Sequence, residues 1–350
     1  MRRSSLLLIL LLAAGGLLAA NRPPVSCHDG ADNARPLPLR NEHGERLSGV
    51  YAAPTADPSA LVVMMHGYGH TSESWIPHVE RVAAQDGALA VAIDYRGDIR
   101  TKDPQGLDSS RGWNVTAGAE DAIDVAHAFL AACPTIEDVV AYGISMGGNS
   151  SGLAIAAGAT RADGETPLFD IWFNVEGATN VVETYLGARA LAPTNEFAAN
   201  AQADIEAEMG GPIEATGPEP YLERSILYRA EDVAASGVAG IVMVHGVDDG
   251  LVPYNQSREF AQRMRQLGIP VELHTVTTKG DAESGTTATG YVLGALGQDF
   301  VTAGHASEAS TTHVVNRIAF ERLSEILAGA DVSCHETVYD GAEPQGTAGC

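Results

Sequence analysis

One short stretch, residues 139–148, constrains the fold more than any other part of the chain. An apolar run leads into the pentapeptide Gly-Ile-Ser-Met-Gly at 143–147, and a small-residue segment of helical character follows. Glycines on both sides of Ser145 permit a tight strand-to-helix turn, because a Cβ would not fit where strand and helix approach. Such a turn lifts the serine hydroxyl out of the sheet, close to unpaired amides at a helix N-terminus.

The pentapeptide alone is weak support for this interpretation. With 38 glycines in 350 residues, a match can arise by chance. The alternative is an ordinary glycine-rich turn with a solvated serine. The context of the motif must therefore decide between the two.

Apolar runs and helical periodicity alternate along most of the chain. Strands are predicted at 61–65, 88–93, 138–142, 170–174, 240–244 and 271–276, and helices at 73–84, 118–132, 256–267 and 307–327. This alternation indicates an α/β fold with a mostly parallel, twisted sheet covered by helices on both faces. The segment at 177–221 breaks the rhythm, and its helical stretch 196–209 can be capped by Asn195. We expect a helical lid over the strand ends there; the alternative is an inert surface elaboration.

The first twenty residues have the pattern of a secretory signal peptide. Arg2 and Arg3 precede an apolar run at 6–20 that ends in small residues. An uncleaved anchor is the alternative, but the run is short for a bilayer span, and we expect no stable membrane anchor after cleavage. The predicted organisation is a signal peptide at 1–20, an extended arm at 21–35, a main domain at 36–328 and a cysteine-bearing tail at 329–350.

Cysteine number and charge fit an exported protein and exclude some partners. The four cysteines allow three pairings, and we favour Cys334 with Cys350 and Cys27 with Cys133. None lies in a Cys-x-x-Cys pair, so no zinc site is expected. Acidic turns such as that at 29–32 do not match the spacing of a calcium-binding EF-hand loop, so no other metal site is expected. The net charge of −24 makes nucleic acid an unexpected partner, because there is no basic face for phosphates. The sequence leaves the oligomeric state open.

A serine needs a base that accepts its proton and an acid that orients the base. Two aspartates follow the strand at 240–244, and we choose Asp249 as the acid, with Asp248 as the alternative. For the base we choose His305, which follows a glycine ahead of the last predicted helix; His313 is the alternative. The order serine, acid, histidine is that of an α/β-hydrolase.

An oxyanion hole is predicted from the turn at 66–69. Its glycines flank Tyr68 and allow a backbone amide to turn inward. Together with the amide of Met146, which follows the serine, the Tyr68 amide would form the donor pair. The alternative is an ordinary tight turn.

The set of motifs, in this order, resembles the α/β-hydrolase superfamily, and within it the catalytic domain of prolyl oligopeptidase-like hydrolases and acyl esterases. The motifs are His-Gly-Tyr-Gly at 66–69, Asp-Tyr-Arg-Gly at 94–97, Gly-Ile-Ser-Met-Gly at 143–147, His-Gly-Val-Asp-Asp-Gly-Leu-Val-Pro at 245–253, and Gly-His at 304–305. The resemblance covers residues 36–328 and implies an α/β-hydrolase fold.

These features predict a secreted serine hydrolase that cleaves carboxylic esters through an acyl-enzyme on Ser145 and needs no cofactor. Its substrate would be a small-molecule or oligomeric ester. A peptidase acting on short peptides is the runner-up, although no residues before 61 could encode the propeller of prolyl oligopeptidases. The Tyr68 and Met146 pair also resembles that of secreted polyester hydrolases. A catalytically silent binding protein of the same fold is the remaining alternative.

Overall fold

A single large sheet runs through the part of the chain that the computed structural model describes, which is residues 25–28, 33–41, 43–96, 112–277 and 304–350. Within those residues, ten strands form this sheet and two more form a separate hairpin. In chain order the strands are β1 Arg35–Pro36, β2 Leu39–Arg40, β3 Arg46–Leu47, β4 Gly49–Ala52, β5 Ala60–Met65, β6 Leu89–Ile93, β7 Asp138–Ile144, β8 Ile171–Val175, β9 Gly240–Gly246, β10 Val271–Val276, β11 His335–Asp340 and β12 Glu343–Gly349.

The spatial order of the large sheet is β1-β4-β6-β5-β7-β8-β9-β10-β11-β12. The run from β6 to β11 is parallel throughout, and only the pairings of β1, β4 and β12 are antiparallel. The predicted mostly parallel sheet is therefore confirmed. Because Met65 pairs with Gly143 and Val175 with Val244, the carboxyl ends of β5, β7, β8 and β9 lie side by side. The turns that follow these strands meet at one edge.

Helices cover both faces of the sheet. In chain order they are α1 Ile76–Arg81, α2 Val115–Ala132, α3 Met146–Ala156, α4 Val181–Leu191, α5 Glu196–Met209, α6 Ile213–Thr216, α7 Glu219–Glu223, α8 Ala230–Ala235, α9 Tyr254–Gln266 and α10 Val314–Leu327. Side chains alternate across each strand, so Leu61 and Val63 join one core while Val62 and Met64 join the other. Both faces of the central strands are thus buried, which explains their continuous apolar runs.

The insertion between β8 and β9 is helical, as predicted. It contains α4 to α7, and α5 occupies the predicted range 196–209. The side chain of Asn195 accepts a hydrogen bond from the amide of Ala198 at 2.9 Å and so caps α5.

The last helix begins later than the predicted 307, at Val314. Its first turn is capped by His313, whose Nδ1 accepts a hydrogen bond from the Val315 amide at 3.2 Å. The Asn316 amide group donates to the carbonyls of Ser307 and Ser310, at 2.9 and 2.8 Å, and thereby holds the preceding residues in a loop. The local hydrogen bonds of these polar side chains compete with the helix and delay its start.

Residues 329–350 were predicted to be a cysteine-bearing tail that follows the main domain, but they add two strands to the large sheet. They supply β11, which pairs in parallel with β10, and β12, which returns antiparallel to β11. A disulfide between Cys334 and Cys350 closes this hairpin. The hairpin also pairs the backbone groups of β10 that would otherwise form an open edge.

The favoured cysteine pairing is the one found, because Cys27 is bonded to Cys133. This second disulfide fastens the N-terminal arm to the end of α2. The predicted signal peptide and residues 97–111 and 278–303 lie outside the described residues. Among the residues that are described, no helix combines the length and the apolar character needed to cross a bilayer.

We predict that the two disulfides stabilise the fold unequally. A crosslink restricts the unfolded chain more when it closes a longer loop, and the sequence separations are 106 residues for Cys27–Cys133 and 16 for Cys334–Cys350. Replacing both cysteines by serine should lower the free energy of unfolding by about 5 kcal/mol for the first pair and about 3 kcal/mol for the second. Urea unfolding of the two variants measures this; a larger loss for the hairpin pair would contradict it.

Candidate active site

Ser145 stands on a strained turn between β7 and α3. Its backbone has φ 57° and ψ −124°, a conformation that residues with a Cβ rarely adopt. A Cβ at Gly143 would overlap the carbonyl of Gly147, and a Cβ at Gly147 would overlap the carbonyl of Met65. Both flanking glycines are therefore required by close backbone approach. The Ser145 amide donates to the Val175 carbonyl at 3.0 Å, which anchors the turn to the end of β8.

The predicted acid and base are in direct contact at the same edge of the sheet. Nδ1 of His305 lies 2.7 Å from Oδ2 of Asp249, although the two residues are 56 positions apart in the chain. Both side chains are buried. Since a carboxylate can only accept here, Nδ1 carries the proton and Nε2 is the nitrogen that can act as a base.

The Asp249 carboxylate is held by hydrogen bonds on both oxygens. Its Oδ1 accepts from the amides of Leu251 and Val252 at 2.8 and 3.0 Å. Its Oδ2, which binds His305, also lies 3.3 Å from Nε2 of His245. The turn after β9 thus fixes the carboxylate before any substrate arrives. Of the two aspartates considered from the sequence, Asp249 is the one in contact with the histidine.

Burial and the neighbouring charges have opposite effects on the pKa values of His305 and Asp249. Burial alone would lower the pKa of His305, but the charge and hydrogen bond of Asp249, followed by the charges of Glu176 and Glu308, raise it to about 9. Burial alone would raise the pKa of Asp249, but the charge of His305 and the hydrogen bonds from His245 and His305 hold it well below its ordinary value. The site therefore favours an ion pair between imidazolium and carboxylate.

The alternative base, His313, has a structural role. It is fully buried at the start of α10, where it caps the helix as described above. His305, eight residues earlier, is the histidine at the strand ends.

The predicted oxyanion turn lies against the serine. Gly67 packs so closely on Ser145 that a Cβ added to it would lie 3.2 Å from the serine Cβ and 3.6 Å from its Oγ. Tyr68 follows this glycine after β5, and Met146 opens α3. The structure therefore brings the two residues chosen as amide donors to the ends of neighbouring parallel strands beside Ser145.

The side chain of Tyr68 connects this turn to the helical insertion. Its hydroxyl donates to Oδ2 of Asp204 on α5 at 2.6 Å, and its ring lies 5.5 Å from that of Phe197 on the same helix. On the other side it faces Trp113 at 6.2 Å. The insertion thus packs directly beside the candidate oxyanion turn, in the position expected of a lid.

Sequence reasoning missed two buried carboxylates at this site. Glu308 accepts a hydrogen bond from the Gly67 amide and lies 3.7 Å from Nδ1 of His70. Glu176 follows β8 directly and lies 3.6 Å from Nδ1 of His305. The position of Glu176 after a predicted strand is a signal that could have identified it; no pattern in the sequence marks Glu308.

A cluster of side chains that could bind a metal ion lies outside this site. Glu272, His274 and His335 bring their ligand atoms within 4.8 Å of one another between β10 and β11. However, Arg322 binds both oxygens of Glu272, at 2.7 and 2.8 Å, and the Ser333 amide donates to one of them at 2.9 Å. An arginine already neutralises this carboxylate, so the cluster is accounted for as an ion-pair network between the sheet and α10.

Comparison with known proteins agrees with this geometry. Residues 62–315, more than half of the chain, match the model of the Alpha/beta hydrolase family. The chain belongs to this family. The predicted superfamily is thereby confirmed for the hydrolase domain. No curated protein sequence matches the chain.

Solved structures share the hydrolase fold. A puromycin-hydrolyzing peptidase from Mycobacterium tuberculosis has TM-score 0.53 and 18% identity, over 90% of this chain and 41% of its own. An acylaminoacyl peptidase from Pyrococcus horikoshii has TM-score 0.54 and 16% identity, over 86% and 42%. A butyrate-bound esterase from the Planctomycetes species Thermogutta terrifontis has TM-score 0.53 and 16% identity, over 85% and 94%. This hydrolase spans about two fifths of the length of the two peptidases.

We predict that catalysis depends on pH through His305 and is faster under alkaline conditions. The base must be neutral to accept the serine proton, and its pKa is raised to about 9. Values of kcat/KM should therefore rise with pH through neutrality, with a midpoint well above the ordinary histidine value of about 6.5. A pH profile of kcat/KM checks this, and a midpoint at or below the ordinary value would contradict it.

Proposed function

We propose that this hydrolase is a secreted serine esterase that cleaves carboxylic esters through an acyl-enzyme on Ser145. The observation that carries the proposal is the 2.7 Å contact between His305 and Asp249 at the sheet edge where the strained serine turn stands. A backbone conformation this costly, about 1 to 3 kcal/mol, persists where the surrounding structure imposes it, and such strain clusters at active sites.

In the proposed mechanism, Oγ of Ser145 attacks the ester carbonyl while Nε2 of His305 takes its proton. Asp249 keeps the imidazole oriented and stabilises its positive charge. The amides of Tyr68 and Met146 donate to the oxyanion that forms on the carbonyl oxygen. His305 then protonates the leaving alcohol, which departs and leaves the acyl group on the serine. Water activated by the same histidine hydrolyses the acyl-enzyme and restores the site.

An ester is preferred to a peptide for two reasons. The motifs resemble those of acyl esterases, and the matched esterase aligns over 94% of its length, against 42% for the Pyrococcus peptidase. That esterase has butyrate bound, and a short acyl chain is the corresponding proposal here. Peptide hydrolysis is the second candidate, because puromycin and acylaminoacyl peptidases share the fold.

Secretion is part of the proposal. The described chain contains two disulfides, Cys27–Cys133 and Cys334–Cys350, and such bonds persist in oxidising compartments. The basic and apolar start of the sequence fits an export signal. The proposed partner is a small or oligomeric ester; the charge of −24 disfavours nucleic acid.

We predict that Ser145→Ala abolishes ester turnover. Without the hydroxyl no acyl-enzyme can form, so kcat for p-nitrophenyl butyrate should fall by at least about a thousandfold. The matched control is Ser236→Ala. Ser236 precedes β9 and so lies near the amino ends of the parallel strands, away from Ser145, and this variant should retain normal turnover. A Ser145→Ala protein as active as this control would refute the proposal.

A fluorophosphonate probe and a substrate panel separate the remaining alternatives. An active esterase should carry the probe on Ser145, whereas a silent binding protein would show no adduct. We expect kcat/KM for p-nitrophenyl butyrate to exceed that for aminoacyl p-nitroanilides. Faster cleavage of the anilides would establish the peptidase instead.

A further inference from the structure

A second carboxylate converges on the histidine from the neighbouring strand. Glu176 is the residue after β8, and its side chain is completely buried. Besides Ser145, it is the one non-glycine residue of the described chain with a positive φ, at 47°. A residue with a Cβ rarely adopts this conformation, which costs about 1 to 3 kcal/mol.

The contacts of Glu176 join the segments that carry the acid and the base. Its Oε1 accepts from the amide of Gly246, three residues before Asp249, at 3.1 Å. Its Oε2 accepts from the amide of Ala306, the residue after His305, at 2.6 Å. Its own amide donates to the Val244 carbonyl at 2.9 Å. One side chain therefore spans the end of β9 and the histidine loop.

We propose that Glu176 is a positioning residue that fixes His305 against Asp249 and favours the imidazolium form during catalysis. This inference rests on the proposed function of the site. The carboxylate acts through His305, since its Oε2 lies 3.6 Å from Nδ1 while Asp249 lies at 2.7 Å. Asp249 therefore holds the hydrogen bond, and Glu176 supplies a second negative charge and the backbone clamp.

The charged groups around His305 determine how its pKa should respond when Glu176 is changed. Asp249, Glu176 and Glu308 face His305, and His245 faces both Asp249 and Glu176. Burial, followed by the charge of Asp249, raises the pKa of Glu176 above its ordinary range, while the two histidines oppose this rise. Removing the charge of Glu176 must lower the pKa of His305, because an anion near an imidazolium stabilises it.

The experiment uses two variants that separate charge from reach. Glu176→Gln keeps the length of the side chain but removes its charge and, because an amide NH2 group cannot accept, gives up one of the two backbone hydrogen bonds. It should move the midpoint of the kcat/KM profile to lower pH by about one unit. Glu176→Asp keeps the charge but is too short to reach both amides. It should lower kcat by about tenfold or more through misplacement of His305, while the midpoint stays nearer to the wild-type value.

The matched control is Glu272→Gln, a buried carboxylate at the start of β10 that pairs with Arg322. It removes a buried charge far from the site, so it should lower stability without moving the midpoint. A Glu176→Gln midpoint equal to that of wild type overturns the charge role, and wild-type kcat in Glu176→Asp overturns the clamp.

An NMR titration keeps this test independent of turnover. With isotope-labelled histidine, the resonance of His305 is assigned by its loss in His305→Gln, and its pKa should be lower in Glu176→Gln than in wild type. Equal His305 pKa values would overturn this inference even if the enzyme cleaves esters. Absence of ester turnover with a shifted pKa would overturn only the proposed function.

Discussion

The close approach of β7 and α3 at Ser145 is the constraint on which the rest of the site depends. Gly143 and Gly147 leave no room for a Cβ, since backbone carbonyls of Gly147 and Met65 occupy that space. The turn between them therefore holds Ser145 at φ 57°. The neighbouring parallel strands are aligned at their carboxyl ends, so the turns after β5, β8 and β9 lie at the same edge of the sheet as the serine. Residues that are far apart along the chain therefore meet at this edge of the sheet.

The electrostatic arrangement depends on burial as much as on contact. Three buried carboxylates, Asp249, Glu176 and Glu308, face one buried imidazole. Taking these charges out of water is costly, and each carboxylate is compensated by backbone amides. Asp249 receives two amides and Glu176 two others, whereas Glu308 receives that of Gly67. The carboxylates that stabilise the positive charge of His305 are therefore held in place before the reaction begins.

The sequence predicts the framework of the fold well where patterns are local. Continuous apolar runs identify the central strands, and β10 occupies the predicted range 271–276. The C-terminal hairpin was missed because β12 is exposed along its whole length and has no apolar pattern. Backbone pairing and a disulfide define this strand instead. Pattern-based prediction detects burial, and this strand has none to detect.

The candidate site could be predicted where a residue type and a strand end coincide. Asp249 and His305 were chosen in this way, and the structure brings them together. Glu176 follows a predicted strand, which is a signal in the sequence, whereas no pattern marks Glu308, because a lone glutamate acquires meaning only from the segments that fold against it. Their amide partners, on Gly246, Ala306 and Gly67, are distant in sequence, up to 241 positions for Glu308 and Gly67. Only the three-dimensional fold reveals such contacts.

A crystal structure of the enzyme inhibited by a phosphonate ester tests the central claim most directly. A phosphonyl oxygen takes the place of the oxyanion of the tetrahedral intermediate. The account predicts a covalent bond from Oγ of Ser145 to phosphorus, with that oxygen accepting hydrogen bonds from the amides of Tyr68 and Met146 and Nε2 of His305 facing Oγ. Phosphorus bonded to another residue, or an oxygen directed away from both amides, would contradict it.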